Sequence, residues 1–514
     1  MPRSQITLSR METKRKPENL KEALGSLLPW LLFLLSAYLL LRPVLLTTVA
    51  ADDLINPFSQ MYHAGTTLGP IWRRVKESVS VTGHFNYLGQ LFGSIVVLLW
   101  SYLIGNFGFR FSLVYALTKY VFFVLAIMMI ASYARSVLRD SGRHVPTWTC
   151  RAVALAALAF PLQLHIPWSN DPTASYPMAG YGTALFGLLF LFLCRRALVG
   201  NQWRNLLVVG ITGSAAVLYY ECNSFAVLAT VVFFVERAWG LRSDRRLVLR
   251  ELARYLICVG PAAATTLYFF FKNRAASANY SGTSLRLSTP FLEKFRNGIV
   301  SSTPGSSWPL AHDWLGHTTR FNVRILQFFF AGLVTLAVLI WITRNKKPNT
   351  SEIPTGGWQR LLVAVLPAGI YWLGATFAQT ATKKVQDESQ RIGQVYNYYA
   401  VGSVAISLIV VVMILGIVRA HHQFRLRVFF STAFVVVGCY QYATNLNVLL
   451  RFNEAMKPTS NLLVTFAERP EMAERCARLD QWKAMGWPEY YWLDLELGMN
   501  MMYQLNHQED FCRR

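Results

Sequence analysis

LGSLLPWLLFLLSAYLLLRPVLLTTVAADDL, residues 24–54, is an apolar run that ends in two adjacent carboxylates, Asp52 and Asp53. A helix rises ~1.5 Å per residue, so about 20 apolar residues span the roughly 30 Å hydrocarbon core of a bilayer. The stretch 24–48 exceeds that length. It follows a basic start (Arg3, Arg10, Lys14, Arg15, Lys16, Lys21), is too long for a secretory signal core and has no small-residue cleavage site. The run is therefore expected to stay as an anchor with its N-terminus in the cytoplasm.

The rest of the chain repeats this chemistry. Of 514 residues, 53% are hydrophobic and 14% aromatic, with a mean hydropathy of +0.31, which is the composition of an all-α polytopic protein of the cell membrane. Crossings are expected near 24–48, 110–133, 151–166, 177–194, 205–220, 224–237, 254–271, 322–343, 360–379, 397–418 and 428–445, about eleven in all, with interfacial helices between them. Basic clusters at Arg135/Arg139/Arg143, Arg195/Arg196/Arg204, Arg237/Arg242/Arg245/Arg246, Arg344/Lys346/Lys347 and Arg419/Arg425/Arg427 then fall on one side, read as cytoplasmic. That bias accounts for the net charge of +23 without a nucleic-acid partner; membrane lipids are the expected surroundings.

The apolar run 88–104 decides the parity. If it crossed, the arginines at 135–143 would face outward, so it reads as an interfacial or re-entrant helix. The segments 49–87, 166–177, 220–224, 272–321, 380–396 and 446–514 then share the extracytoplasmic side. Two units follow, a transmembrane catalytic unit 1–445 and a small extracytoplasmic tail 446–514. The tail holds Cys476 and Cys512, the only cysteines outside membrane-associated runs, and an oxidising compartment predicts a disulfide between them. Its aromatics, Trp482, Trp487, Tyr490, Tyr491 and Trp492, are expected to pack it onto the mouth of the site. With no CxxC pair or His/Cys cluster at zinc spacing, no structural metal is expected.

Asp52 and Asp53 leave the membrane a few residues beyond Arg42. A carboxylate near apolar surface and a cation suits a general base that deprotonates an acceptor hydroxyl as it attacks a sugar carbon. The alternative is a helix cap for a helix starting at Leu54. Glu221, in VLYYECNSF, lies at the turn of a tight apolar hairpin. A carboxylate at that depth needs a task or a buried partner such as an arginine. Lys119, within SLVYALTKYVFF, reads more simply as a lysine that snorkels.

With ADDL at 51–54 following the first span, the chain resembles the GT-C superfamily of membrane glycosyltransferases, which carry an acidic residue or pair in the first extracytoplasmic loop. The resemblance covers roughly residues 20–445 as a pattern. It implies a GT-C-like bundle with interfacial helices, a polyprenyl-phosphate-linked sugar as donor, and a glycan or lipid hydroxyl as acceptor. An inverting single displacement fits one base, Asp52 or Asp53, and a phosphate leaving group. The other carboxylate would position the acceptor or, as the less favoured arrangement, a divalent metal. No nucleotide cofactor is implied and none is required.

By the same resemblance Asp171, in HIPWSNDPTASYP with His165, would orient the acceptor, although Asn-Asp-Pro also opens turns. Glu221 joins it as a substrate-binding candidate. Lys272, Arg274, Arg286, Lys294 and Arg296 in the long loop, with Lys383, Lys384 and Arg391 in the next, depart from the charge bias of that side. They and Arg42 would hold the phosphate. A polysaccharide polymerase or O-antigen-ligase type enzyme would depend on the long-loop arginines and histidines instead, and a lipid-linked sugar transporter or flippase on a path lined by Lys119 and Glu221. No GxGxxG, Walker, HExxH or GxSxG motif is present, against nucleotide-sugar, ATP-driven, zincin and serine-hydrolase chemistry.

Overall fold

The chain begins, at the residues described, with a long apolar helix that hands over to two amphipathic ones. A computed structural model describes residues 20–49, 52–142, 145–165, 171–175, 177–199, 203–277, 280–287, 290–315, 323–343, 357–389, 391–420, 424–486 and 489–513. Among these there is no strand, only an isolated antiparallel bridge between Leu285 and Thr382. The helices are α1 (Leu20–Leu45), α2 (Asp52–Ala64), α3 (Leu68–Thr82), α4 (Tyr87–Phe107), α5 (Phe111–Asp140), α6 (Thr147–Ala159), α7 (Pro177–Val199) and α8 (Trp203–Tyr219). A single 3-10 turn at Glu221–Asn223 leads into α9 (Ser224–Ala229), α10 (Val231–Gly240) and α11 (Arg245–Ser277). Beyond them lie α12 (Phe291–Ser301), α13 (Trp308–Leu315), α14 (Val323–Thr343), α15 (Gly357–Thr380), α16 (Lys383–Glu388), α17 (Tyr398–Ala420) and α18 (Phe424–Ala455). Three short helices close the chain, α19 (Lys457–Glu468), α20 (Met472–Lys483) and α21 (Glu489–His507).

Ten segments among the described residues are helical, long and apolar enough to cross a membrane: α1, α4, α5, α7, the stretch Glu221–Gly240, α11, α14, α15, α17 and α18. The apolar helices α6 and α8 are shorter. The helix α4, expected from the sequence to lie at the interface, is thus long and apolar enough to cross. Tyr87 packs on Phe269, near the end of α11, and Phe92 on Tyr219, the last residue of α8. At its other end, Trp100 and Ile104 share a core with Phe111, the first residue of α5, and with Tyr503 and Phe511 of the tail. Phe92 also meets Phe122, and Trp100 meets Tyr115 and Phe111, so α4 packs antiparallel along the first turns of α5. The ten candidates include α4 and leave out α6 and α8, so they differ from the eleven crossings expected from the sequence at these three helices.

The molecule has two unlike ends. At the basic end, Asp140 pairs with Arg195 at 3.3 Å, and Glu251 lies between Arg237 and Arg254, each at 2.8 Å. Arg254 also donates to the last carbonyls of α7, at Ala197 and Leu198, a favourable use of a cation at a helix C-terminus. The opposite, loop-bearing end holds α2, α3, α12, α13, α16 and α19–α21.

Two apolar cores correspond to this division. The larger runs through the bundle and includes Phe33, Ile130, Leu158, Leu191, Ala368 and Leu408. The smaller joins Leu54, Phe58, Trp100 and Phe111 to Trp482 and Met499 of the tail. The helix α18 continues unbroken to Ala455, across the expected boundary at 445. The tail has no core of its own but completes that of the first loop.

Candidate functional site

The amphipathic helix α2 buries Leu54, Ile55, Phe58 and Met61, the i, i+1, i+4, i+7 pattern of one helical face. Asp53, at its start, is only 6% exposed, and its Oδ2 accepts a hydrogen bond from the Tyr115 hydroxyl of α5. The same hydroxyl approaches the Ala174 carbonyl at 3.0 Å. Its single proton thus sits between the carboxylate and the 171–175 turn, and fixes one in relation to the other.

Below Tyr115, one turn further along α5, lies Lys119. It does not snorkel: it is fully buried, and its ammonium donates to the Val44 carbonyl (3.0 Å), the Thr47 carbonyl (3.3 Å) and the Thr47 hydroxyl (2.6 Å). Three donors meet three acceptors where α1 runs out, so the charge is held by groups that the end of α1 leaves unpaired. The Tyr115 ring lies 4.7 Å from the Lys119 nitrogen.

Asp53 lines an open cavity of about 340 Å3, shared with Asn56, Gln60, Arg74, Ser78 and Gln90, within the usual size range of ligand sites. Arg74 comes from α3, whose Ile71, Val75 and Val79 are buried, leaving Arg74 and Ser78 on the flank toward the cavity. Burial pulls the Arg74 pKa below its ordinary value, with Asp494 and Glu77 acting to raise it; a guanidinium stays cationic regardless. Arg74 donates to the Ser59 carbonyl at 3.2 Å and hydroxyl at 3.0 Å, and Ser59 donates to Asp494 of α21 at 2.7 Å. The other Asp494 oxygen faces His63 at 3.3 Å. Two loop helices and the tail are thereby tied around one opening. Gly498 makes the approach of α21 to α2 close: a methyl group there would collide with the Phe58 backbone.

Of the residues expected to form the site, Asp53 alone lines this cavity among those whose side chains are described. The side chains of Asp52 and Arg274 lie outside the described residues, as do those of Trp487, Tyr490, Tyr491 and Trp492. Arg42 is turned away: its guanidinium sits 3.5 Å over the Phe328 ring of α14. Asp171 is fully buried and accepts from the backbone N–H of His165 (2.8 Å) and Thr173 (2.9 Å), with His165 Nδ1 at 3.1 Å. It organises its own turn, as short acidic side chains do, rather than facing the cavity. Glu221 is paired, but with His84 of the α3–α4 linker instead of an arginine. Burial disfavours the charged His84 ring, as does Lys384; the charge and hydrogen bond of Glu221 outweigh them and raise its pKa.

Among the described residues, the cations of the long loop stitch two loops together. Arg286 pairs with Asp387 at 2.7 Å, both nearly half exposed, and its backbone N–H donates to Ala381. The Lys383 N–H donates to Ser284, and its side chain is exposed. Lys294 reaches the Ser389 carbonyl at 3.3 Å. Lys272 is exposed over the rings of Tyr268 and Phe269, and Arg391 is exposed at the loop surface. In the tail, a disulfide joins Cys476 to Cys512.

Arg74 was missed, although IWRRVKESV has the spacing of an amphipathic helix whose apolar side carries Arg74 on its flank. Tyr115 and Lys119 were beyond reach of any local pattern, because their partners lie some 60 to 75 positions away. Among the described residues, no group of three or more His, Cys, Asp or Glu is placed to hold a metal ion. No family model, no curated protein and no solved structure matches this chain.

Proposed function

We propose that the protein is a membrane glycosyltransferase that moves a sugar from a polyprenyl phosphate to a hydroxyl acceptor, with Asp53 as the general base. The observation that carries this reading is a nearly buried carboxylate, oriented by Tyr115, in the wall of an open polar cavity that also contains Arg74. Asp53 takes the proton of the acceptor hydroxyl as its oxygen attacks the anomeric carbon. The bond from that carbon to the phosphate oxygen breaks with inversion, and polyprenyl phosphate leaves with its charge met by Arg74. Asn56, Gln60 and Gln90 supply the hydrogen-bonding groups that a sugar needs. Lys119 holds the end of α1 in place beneath the carboxylate and touches no substrate.

The test is transfer from a panel of polyprenyl-phosphate-linked sugars to glycan or lipid acceptors by the purified protein in bilayer discs. Transfer that requires Asp53 supports the reading; no transfer from any such donor, or transfer by Asp53→Asn at the normal rate, overturns it.

The basic end lies in the cytoplasm in this reading, with the cavity and the C-terminus on the other face. A cysteine at Ser284 is then labelled from outside intact cells by an impermeant thiol reagent, and one at Ser243 is not. Reversed labelling refutes the orientation.

A further inference from the structure

At the basic end, far from the Asp53 cavity, α5, α6 and α7 enclose an open groove of about 500 Å3. Four arginines line it, Arg135 and Arg139 from α5, Arg151 from α6 and Arg196 from α7, and no carboxylate does. Asp140, next in sequence to Arg139, is engaged by Arg195 at 3.3 Å. Two of the four are held by rings: Arg151 lies 4.3 Å from both Trp30 and Trp148, and Arg196 lies 5.5 Å from Phe192. Such stacking fixes a guanidinium plane and leaves its N–H edge for a ligand. Like charges gathered this way repel, as Arg135 and Arg151 do, and among the described residues lining the groove no carboxylate offsets this, so an anion there would relieve it.

The groove is divided along its length. Ser132, Ser136 and Thr147 accompany the arginines, while Met129, Leu189 and Phe192 extend toward the middle of the bundle. From Arg139 to Met129 is ten residues of helix, or ~15 Å, so the polar mouth opens onto an apolar floor that runs with the bilayer. That is the shape of an amphiphile. A free phosphate would use only the mouth and leave the floor wet.

We infer that this groove binds an anionic phospholipid of the surrounding membrane, its phosphate among the four arginines and its first acyl carbons on the floor. Basic pockets between membrane helices recognise lipid headgroups by the same chemistry. The site is separate from the proposed sugar transfer and stands or falls without it.

The full-length protein in detergent is titrated with phosphatidylglycerol and, separately, with phosphatidylcholine, bound lipid being read by native mass spectrometry. Phosphatidylglycerol is expected to bind more tightly, and R135Q/R139Q to weaken it roughly thirtyfold, from about 1 kcal/mol per basic residue. R242Q, whose arginine stacks on Trp239 outside the groove, leaves binding unchanged. Should the double variant lose its thermal transition, R139Q alone carries the test at roughly fivefold. Equal binding of phosphatidylcholine overturns the inference, as does unchanged affinity in a folded variant. Displacement of phosphatidylglycerol by millimolar inorganic phosphate also overturns it, because a free-anion site would then explain the arginines.

Discussion

Asp53 and Arg286 lie at the same, loop-bearing end of the bundle, and both were legible in the sequence as charges between apolar spans. Their surroundings separate them. Asp53 is held by Tyr115 of α5 and opens onto a cavity lined by α3 and α4, whereas Arg286 faces solvent and is matched by Asp387. A charge in a low-dielectric wall interacts strongly with whatever enters, while an exposed pair is worth about 0 to 1 kcal/mol. What distinguishes a candidate site from a stitched loop is therefore the cover, which α3, α4 and α5 supply around Asp53 and which the tail extends by packing on the apolar face of α2.

The largest expected effect breaks the comparison most directly. Asp53→Asn keeps the shape and the Tyr115 hydrogen bond but removes the base, and transfer falls about 100 to 10,000-fold. Arg286→Gln leaves turnover within about twofold. Comparable losses in both variants would mean that cover does not matter and that the loop cations act on substrate.

Arg74 sharpens the same contrast among cations. Losing one group that neutralises developing charge costs about 100-fold in turnover, so Arg74→Gln should fall by that order, while Arg42→Gln and Lys272→Gln, whose cations lie over rings outside the cavity, should not. A pattern with Arg42 critical and Arg74 silent would return the phosphate to the place expected from sequence alone.

The crossings were readable because burial in lipid writes itself locally, as about 20 apolar residues in a row. The carboxylate was readable too, as an acid just past a span. Its partners were not: Tyr115 reaches Asp53 across 62 positions, Ser59 reaches Asp494 across 435, and His84 reaches Glu221 across 137. Each is one residue whose local sequence looks like ordinary helix or linker. Lys119 shows the limit clearly. A lysine near a span end normally snorkels, and only the three acceptors gathered where α1 ends make burial tolerable.

The tail tests whether cover is structural or incidental. Cys476 and Cys512 close a loop of 36 residues, which in the chain-entropy model contributes about 3 to 4 kcal/mol. Cys476→Ser together with Cys512→Ser should therefore raise amide exchange across 457–513. Because α21 ties Asp494 to Ser59 and thence to Arg74, exchange in α2 should rise with it. Loosening of the tail without α2 would show that the two do not form one core.

The smallest effect concerns the linker that leads from α3 to α4. Burial and Lys384 oppose the His84 charge, and Glu221 prevails, so the folded-state pKa of His84 is raised. A group whose pKa is raised on folding contributes stability that is complete below its unfolded value, about 6.5 for histidine, and is lost as pH climbs through the folded value. Exchange protection of residues 83–86 should thus be higher at pH 6 than at pH 9, and His84→Gln should abolish the difference while leaving the Asp53 cavity intact. If protection instead rose with pH, the ring would be neutral in the fold, and Glu221 would need another partner for its charge.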